Sequence, residues 1–163
     1  MSGLQPIITE VDDQWVLYVR HNGPYEEVSE KAWGSLTKFA EDKKINLLKE
    51  RFFGISLDDP ETTEKDKLRY DACMTAPDNI EFEGKINRRI LKGGKCAVFT
   101  HHGPYKDLGS KFSQIFQEWY PNNHAKVMDL KDNPCICEYM NMSTEGINST
   151  DNLTIKIYIP LKV

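Results

Sequence analysis

No apolar run in the sequence approaches ~20 residues, so it offers no transmembrane helix. Basic residues are not in excess either. Lys and Arg total 21 against 25 Asp and Glu, a formal net charge of −4, which argues against direct nucleic-acid binding, a function that usually needs a basic face. The amino terminus, Met1 to Pro6, has no basic stretch followed by an apolar one, so no secretory signal is visible. The four cysteines, Cys73, Cys96, Cys135 and Cys137, form no Cys-x-x-Cys pair. Cys135 and Cys137 would share one face of a strand, a poor bridging geometry. His101, His102, His124 and Cys96 lack the tight spacing of a zinc site, and no cofactor motif is present. These absences lead to an expectation of a cytoplasmic protein with free, largely buried thiols and no metal or cofactor.

What the chain does have suits one globular domain. It has 163 residues, 39% hydrophobic and 28% charged, a length that buries roughly 70% of the unfolded surface. The expectation is a single domain over 1–163 with no separate DNA-binding segment, since no helix-turn-helix precedes or follows. Three Asn-x-Ser/Thr triplets, starting at Asn141, Asn148 and Asn152, read as a polar, turn-rich loop.

The most informative feature is an internal repeat. His21-Asn22-Gly23-Pro24-Tyr25 returns 80 residues later as His101-His102-Gly103-Pro104-Tyr105. An aromatic and β-branched run precedes each copy, Trp15 to Val19 and Lys95 to Phe99, and each reads as a strand ended by a Gly-Pro turn. After each turn the period becomes helical. Val28, Ala32, Leu36, Phe39 and Ala40 make one stripe, with Trp33 at its edge; Leu108, Phe112, Ile115, Phe116 and Trp119 make the other. The second helix should stop near Tyr120, because Pro121 follows.

Two strand candidates follow each helix: Phe52 to Asp58 and Leu68 to Met74, then Cys135 to Met142 and Leu153 to Pro160. Ile7 to Val11 and Ile86 to Leu91 read as extra leading strands. The expected fold is α+β: a duplicated β-α-β-β repeat, one copy at about 4–80 and the other at about 81–163. These form a curved antiparallel sheet with two helices on one face and a groove between repeats.

The chain resembles the GyrI-like small-molecule-binding domain family, the effector-binding module of some AraC-type and MerR-type transcription regulators, found alone in gyrase-inhibitory proteins. The resemblance rests on Val19 to Tyr25, Leu68 to Cys73, Gly93 to Tyr105, Glu118 to Pro121 and Thr154 to Pro160, in family order. It implies a pocket between repeats that accepts lipophilic, often cationic compounds on aromatic faces around a buried carboxylate. The family's pocket glutamate usually sits two residues before a tyrosine in the strand after the second helix. Here Cys137 stands two before Tyr139 and Glu138 is adjacent, facing the other way by strand alternation unless a bulge turns it.

The expected ligand site is therefore Trp33, Tyr70, Phe112, Phe116, Trp119, Cys137, Glu138 and Tyr139, with Glu138 as its anion. The expected function is a stand-alone binding module for amphipathic small molecules, cations among them, with no catalytic residue assigned. The resemblance leaves two alternatives open: hydrolysis of reactive electrophilic compounds in the same groove, and gyrase-inhibitor-like protein contact. A regulator or gyrase is the candidate protein partner. The paired histidines and tyrosines of the His-x-Gly-Pro-Tyr copies read first as turn and helix-start residues. Cys137 reads first as a small buried hydrophobe rather than a nucleophile.

Overall fold

The computed structural model describes residues 4–141 and 153–163. The Asn/Ser/Thr-rich loop, with the triplets starting at Asn148 and Asn152 and the strand end expected at Met142, falls outside the described residues. Eight strands and two helices carry the fold: β1 (Ile7–Val11), β2 (Gln14–Asn22), α1 (Tyr25–Asp42), β3 (Phe52–Ser56), β4 (Arg69–Met74), β5 (Ile86–Leu91), β6 (Gly94–Gly103), α2 (Leu108–Gln114), β7 (Ile136–Tyr139) and β8 (Leu153–Pro160).

The strands make a single sheet in the order β1-β6-β8-β7-β3-β4-β2-β5, and every pairing within it is antiparallel. This order is symmetric about its middle. Strands β2, β4 and β3 of one repeat mirror β6, β8 and β7 of the other, and the seam is the short β3–β7 ladder, where Phe52 faces Tyr139, Phe53 faces Glu138 and Gly54 faces Cys137. The leading strands are exchanged: β1 pairs with β6 of the other repeat and β5 with β2. The repeats are thus joined both at the seam and at the sheet's two edges.

Alternation along the strands sorts side chains onto two faces. One face carries Leu17, Val19, Ala72, Met74, Phe99, Ile155, Ile157 and Ile159, all buried in the main core with Ala32, Leu36 and Ala40 of α1 and Leu108 and Ile115 from the second helical segment. Each fully buried isoleucine contributes about 1.5–3 kcal/mol. The opposite face has a smaller cluster of Val16, Phe53, Ile55, Cys73 and Leu91. All four cysteines are free.

The two Gly-Pro turns are built alike. Gly23 and Gly103 have φ of 140° and 136°, a region side chains disfavour, and Pro24 and Pro104 then start the helical segments. The Nε2 of His101 lies 3.2 Å from the Pro104 carbonyl within its own turn, so the repeated motif shapes the strand-to-helix corner. Helix α1 ends with Lys44 at φ 58°, where the Ile45 N–H donates to the Ala40 carbonyl at 2.9 Å, a left-handed cap usually made by glycine.

The second helix is less regular than its apolar stripe suggests. A 3₁₀ turn at Tyr105–Asp107 precedes α2, and a widened π turn at Ile115–Trp119 follows it. A 3₁₀ turn around Pro121 then ends the segment. Strands β3 and β7 are shorter than the expected runs to Asp58 and from Cys135. The Leu57 N–H still donates to the Arg69 carbonyl at 3.0 Å, so that ladder frays rather than stops.

Candidate functional site

From α1, which lies over β4 and β2, the Trp33 indole reaches the seam and meets phenols from both repeats. Trp33 donates its Nε1–H to the Tyr70 hydroxyl at 2.9 Å, and that hydroxyl lies 3.4 Å from the hydroxyl of Tyr139. Trp33 also stands edge-on to the Tyr139 ring, with centroids 5.4 Å apart at 84°, and packs on Phe52 at 6.2 Å. Tyr25 and Tyr105, the tyrosines of the repeated motif, close the group from outside, 6.3 Å from Tyr70 and 6.4 Å from Tyr139. Ring pairs in such tilted and edge-on arrangements contribute about 0.5–1.5 kcal/mol each beyond area burial.

Gly54 makes the phenol pair possible. A Cβ at this position would collide with the Tyr70 hydroxyl and lie 2.9 Å from that of Tyr139. A glycine inside a strand often marks such a close approach, and the run Phe52-Phe53-Gly54-Ile55 carried that signal. Gly54, Phe52, Tyr25 and Tyr105 are members that reading for aromatic stripes overlooks.

Burial sets the chemistry of this cluster. It drives the Tyr70 and Tyr139 hydroxyls well above the ordinary tyrosine value of 10.0 and raises Tyr105, whose hydroxyl also interacts with Ser29. Burial likewise pushes up the Cys137 thiol and takes Cys135 to about 12. The face therefore presents neutral O–H, N–H and S–H groups at physiological pH. A thiol held protonated in this way is a poor nucleophile.

Glu138 is placed apart from this cluster. No bulge rotates it: the β7–β3 and β7–β8 registers run unbroken through Glu138, so it points to the opposite sheet face from Tyr139. There Arg51 binds it in a fork, Nε to Oε2 at 2.7 Å and Nη2 to Oε1 at 2.9 Å, and the Tyr158 hydroxyl donates to Oε1 at 2.8 Å. Burial raises its pKa, but the Arg51 and Tyr158 hydrogen bonds outweigh that and hold it below the usual glutamate range. The Arg51 guanidinium also lies 5.0 Å over the Phe53 ring. The carboxylate expected to be a pocket anion is an internal ion pair on the other side of the sheet.

Of the expected site residues, the structure brings together Trp33, Tyr70 and Tyr139, with Cys137 on the same face two residues before Tyr139. Phe112 and Trp119 are half-buried against the main core, Trp119 edge-on to Phe99 at 5.2 Å. Phe116 packs on Tyr120 instead, with centroids 5.1 Å apart. Trp33 lies on the buried side of α1 at 2% exposure rather than at the edge of its stripe, and Tyr70 and Tyr139 are as deeply buried at 2% and 3%. The seam is occupied by these rings themselves. A shallow hollow of about 280 Å³ lies instead beside the end of α1, between Thr37 and Leu48, and one of about 40 Å³ lies between Arg51, Phe53 and Tyr158. Neither touches the ring cluster.

Among the described residues no helix is long and apolar enough to cross a membrane, and no three His, Cys, Asp or Glu residues gather to hold a metal ion.

Two β-α-β-β repeats, a continuous antiparallel sheet and one ring cluster shared across the seam define a class: pseudo-twofold α+β proteins with an internal aromatic cluster. The chain belongs to the GyrI-like small-molecule-binding domain family, whose description matches residues 4–162. It is 30% identical over 110 residues to a probable transcriptional regulator, YgiV, of Escherichia coli O157:H7, an alignment taking in 67% of this chain and 66% of that one. It is 24% identical over 144 residues to a DNA gyrase inhibitor of Citrobacter koseri, 86% of each chain. In fold it is similar to the EcmrR C-terminal domain, with a TM-score of 0.74 at 16% identity over 97% of both chains. It is also similar to SAV2435 bound to tetraphenylphosphonium, with a TM-score of 0.63 at 15% identity over 98% of this chain and 94% of that one.

Proposed function

We propose that the chain binds a lipophilic aromatic small molecule at the seam, on Trp33, Tyr70 and Tyr139. The observation that carries this reading is the shared ring cluster itself. Rings from α1, β4 and β7 converge there with a hydroxyl network and a glycine kept clear beneath them, more polar specificity than a core needs for packing alone. Its two half-buried members, Tyr25 and Tyr105, sit at the starts of the two helical segments and are the rings a ligand displaces on entry. The 3₁₀ and π turns flanking α2 give that segment fewer regular hydrogen bonds than α1, which suits it to yield. SAV2435, similar in fold, is described as bound to tetraphenylphosphonium, in keeping with a site for aromatic compounds.

Binding without turnover is the reading we favour. Hydrolysis of an electrophile needs a general base or an activated nucleophile. On this face the thiols are held protonated and Asp71 and Glu138 point away, which among the described residues leaves an imidazole such as His21, opposite Tyr70, as the base such a reaction would have to use.

The test is titration with tetraphenylphosphonium and with neutral triphenyl compounds, followed by tryptophan emission. Saturable quenching in the wild type, weakened at least tenfold in Tyr70→Phe and Tyr139→Phe, supports the site. Saturable binding unaffected by both changes moves the site elsewhere.

The relatives named DNA gyrase inhibitor are the ground for a second reading, contact with a protein partner. Supercoiling by purified gyrase decides it: inhibition at stoichiometric protein supports the reading, and unaltered activity at excess rejects it.

A further inference from the structure

We infer that the seam site selects neutral aromatic molecules carrying a carbonyl, phosphoryl or ether oxygen, and discriminates against cations of the same shape. This rests on the seam being the ligand site.

The reason is the placement of charge. Among the described residues the buried charged or polar side chains are Ser29, Asp71, His101 and Glu138. Both carboxylates lie on the sheet face away from the ring cluster, each next in sequence to one of its phenols. Both are also already neutralised. Asp71 receives Arg20 through Nε at 2.7 Å and Nη2 at 2.9 Å, and Arg89 through Nη1 at 2.7 Å. Glu138 is held by Arg51 and Tyr158. Among the described residues no buried carboxylate stands on the helix side to replace the water a cation would leave.

What the cluster does offer is dipoles. The Trp33 N–H and the Tyr70 and Tyr139 hydroxyls are neutral donors in one connected group, with the Tyr105 hydroxyl interacting with Ser29 beside it. A ligand oxygen can accept a hydrogen bond from a hydroxyl of this group while its rings replace Tyr25 and Tyr105 against Tyr70 and Tyr139. His21 stands on the same face, opposite Tyr70 in the β2–β4 ladder. Burial keeps it neutral, and the charges of Lys85 and Lys31 act in the same direction. The carboxylate beside Tyr25, Asp58, is likewise already paired, with Arg69 through Nε at 3.0 Å and Nη2 at 2.9 Å. Aromatic faces attract a cation, but burying one with no paired counter-charge opposes that attraction more strongly.

The experiment compares three probes of similar shape and different charge by fluorescence titration and calorimetry: triphenylphosphine oxide, tetraphenylphosphonium and tetraphenylborate. The neutral oxide is expected to bind at least tenfold more tightly than the phosphonium. Equal or tighter binding of the phosphonium overturns the charge selection while leaving the seam site standing. Tightest binding of the borate overturns it as well, in favour of an anion site. Failure of all three to bind overturns the seam reading together with this inference.

Cys137→Glu gives an independent arm, since it places a carboxylate on the helix face two residues before Tyr139. The ratio of phosphonium to oxide affinity should rise at least tenfold in that variant. An unchanged ratio in a variant shown by circular dichroism to be folded overturns the charge argument. If the variant does not fold, the wild-type probe ratio decides alone.

Discussion

Glu138 and Tyr139 are neighbours in β7, yet the sheet sends one to an arginine and the other to a tryptophan. Glu138 accepts three hydrogen bonds at 2.7–2.9 Å, so its role is to tie β7 to Arg51, just before β3, and to Tyr158 of β8. Glu138→Gln leaves Arg51 without its charge partner and should cost about 1–3 kcal/mol, a fall in Tm of several degrees read by thermal denaturation. Affinity for a seam ligand should not change, because the side chain lies on the other face. The pH dependence follows from the lowered pKa. The folded glutamate titrates below its ordinary 4.5, so its stabilisation is fully present above pH 4.5 and is lost as pH falls through the folded value. The Tm gap between wild type and variant should therefore be constant near neutrality and shrink below pH 4.5. Gly54 gives the complementary case. Gly54→Ala drives a methyl into the Tyr70 and Tyr139 hydroxyls, which should destabilise by about 1–3 kcal/mol and weaken seam binding at least tenfold in the same titration.

At the scale of elements, local pattern carried most of the information. β1 and β5 begin and end at the residues their apolar runs mark, and α1 buries the stripe from Val28 to Ala40. Alternation gave the direction of Glu138 only on condition that β7 has no bulge, and the unbroken registers of the structure meet that condition, against the expectation of Glu138 as the site's anion. Three things were not legible. The irregular course of the second helix depends on how Ile115 and Trp119 seat against the sheet. The depth of Trp33 depends on how α1 lies across β4 and β2. The filling of the seam is decided by rotamers and by Gly54 on β3, between the strands that carry the two phenols, long-range facts that no window of sequence holds. The cap of α1 is a local exception, since Lys44 occupies the left-handed conformation at φ 58° in an exposed position. Lys44→Gly removes that strain and should raise stability by up to about 1 kcal/mol, a rise in Tm of roughly 2–4 °C with ligand affinity unaltered. A fall in Tm would mean that the lysine side chain contributes more than its backbone costs.

For the whole molecule, the exchange of leading strands matters more than the duplication. β1 belongs in sequence to the first repeat but completes the sheet of the second on β6, and β5 does the reverse on β2. Neither repeat can unfold without stripping an edge strand from the other, and both contribute rings to the seam: Trp33 and Tyr70 from one, Tyr139 and Tyr105 from the other. The expected consequence is one cooperative transition, with the calorimetric enthalpy equal to the van't Hoff enthalpy, rather than two steps from two half-sized units. A ligand held between the repeats then stabilises the molecule as a unit. At 100 times its Kd it should add about 2.7 kcal/mol, which raises the single Tm by roughly 5–10 °C. Two resolved transitions in scanning calorimetry, or a ligand that shifts only part of the unfolding signal, would show that the repeats are energetically separate despite their exchanged strands.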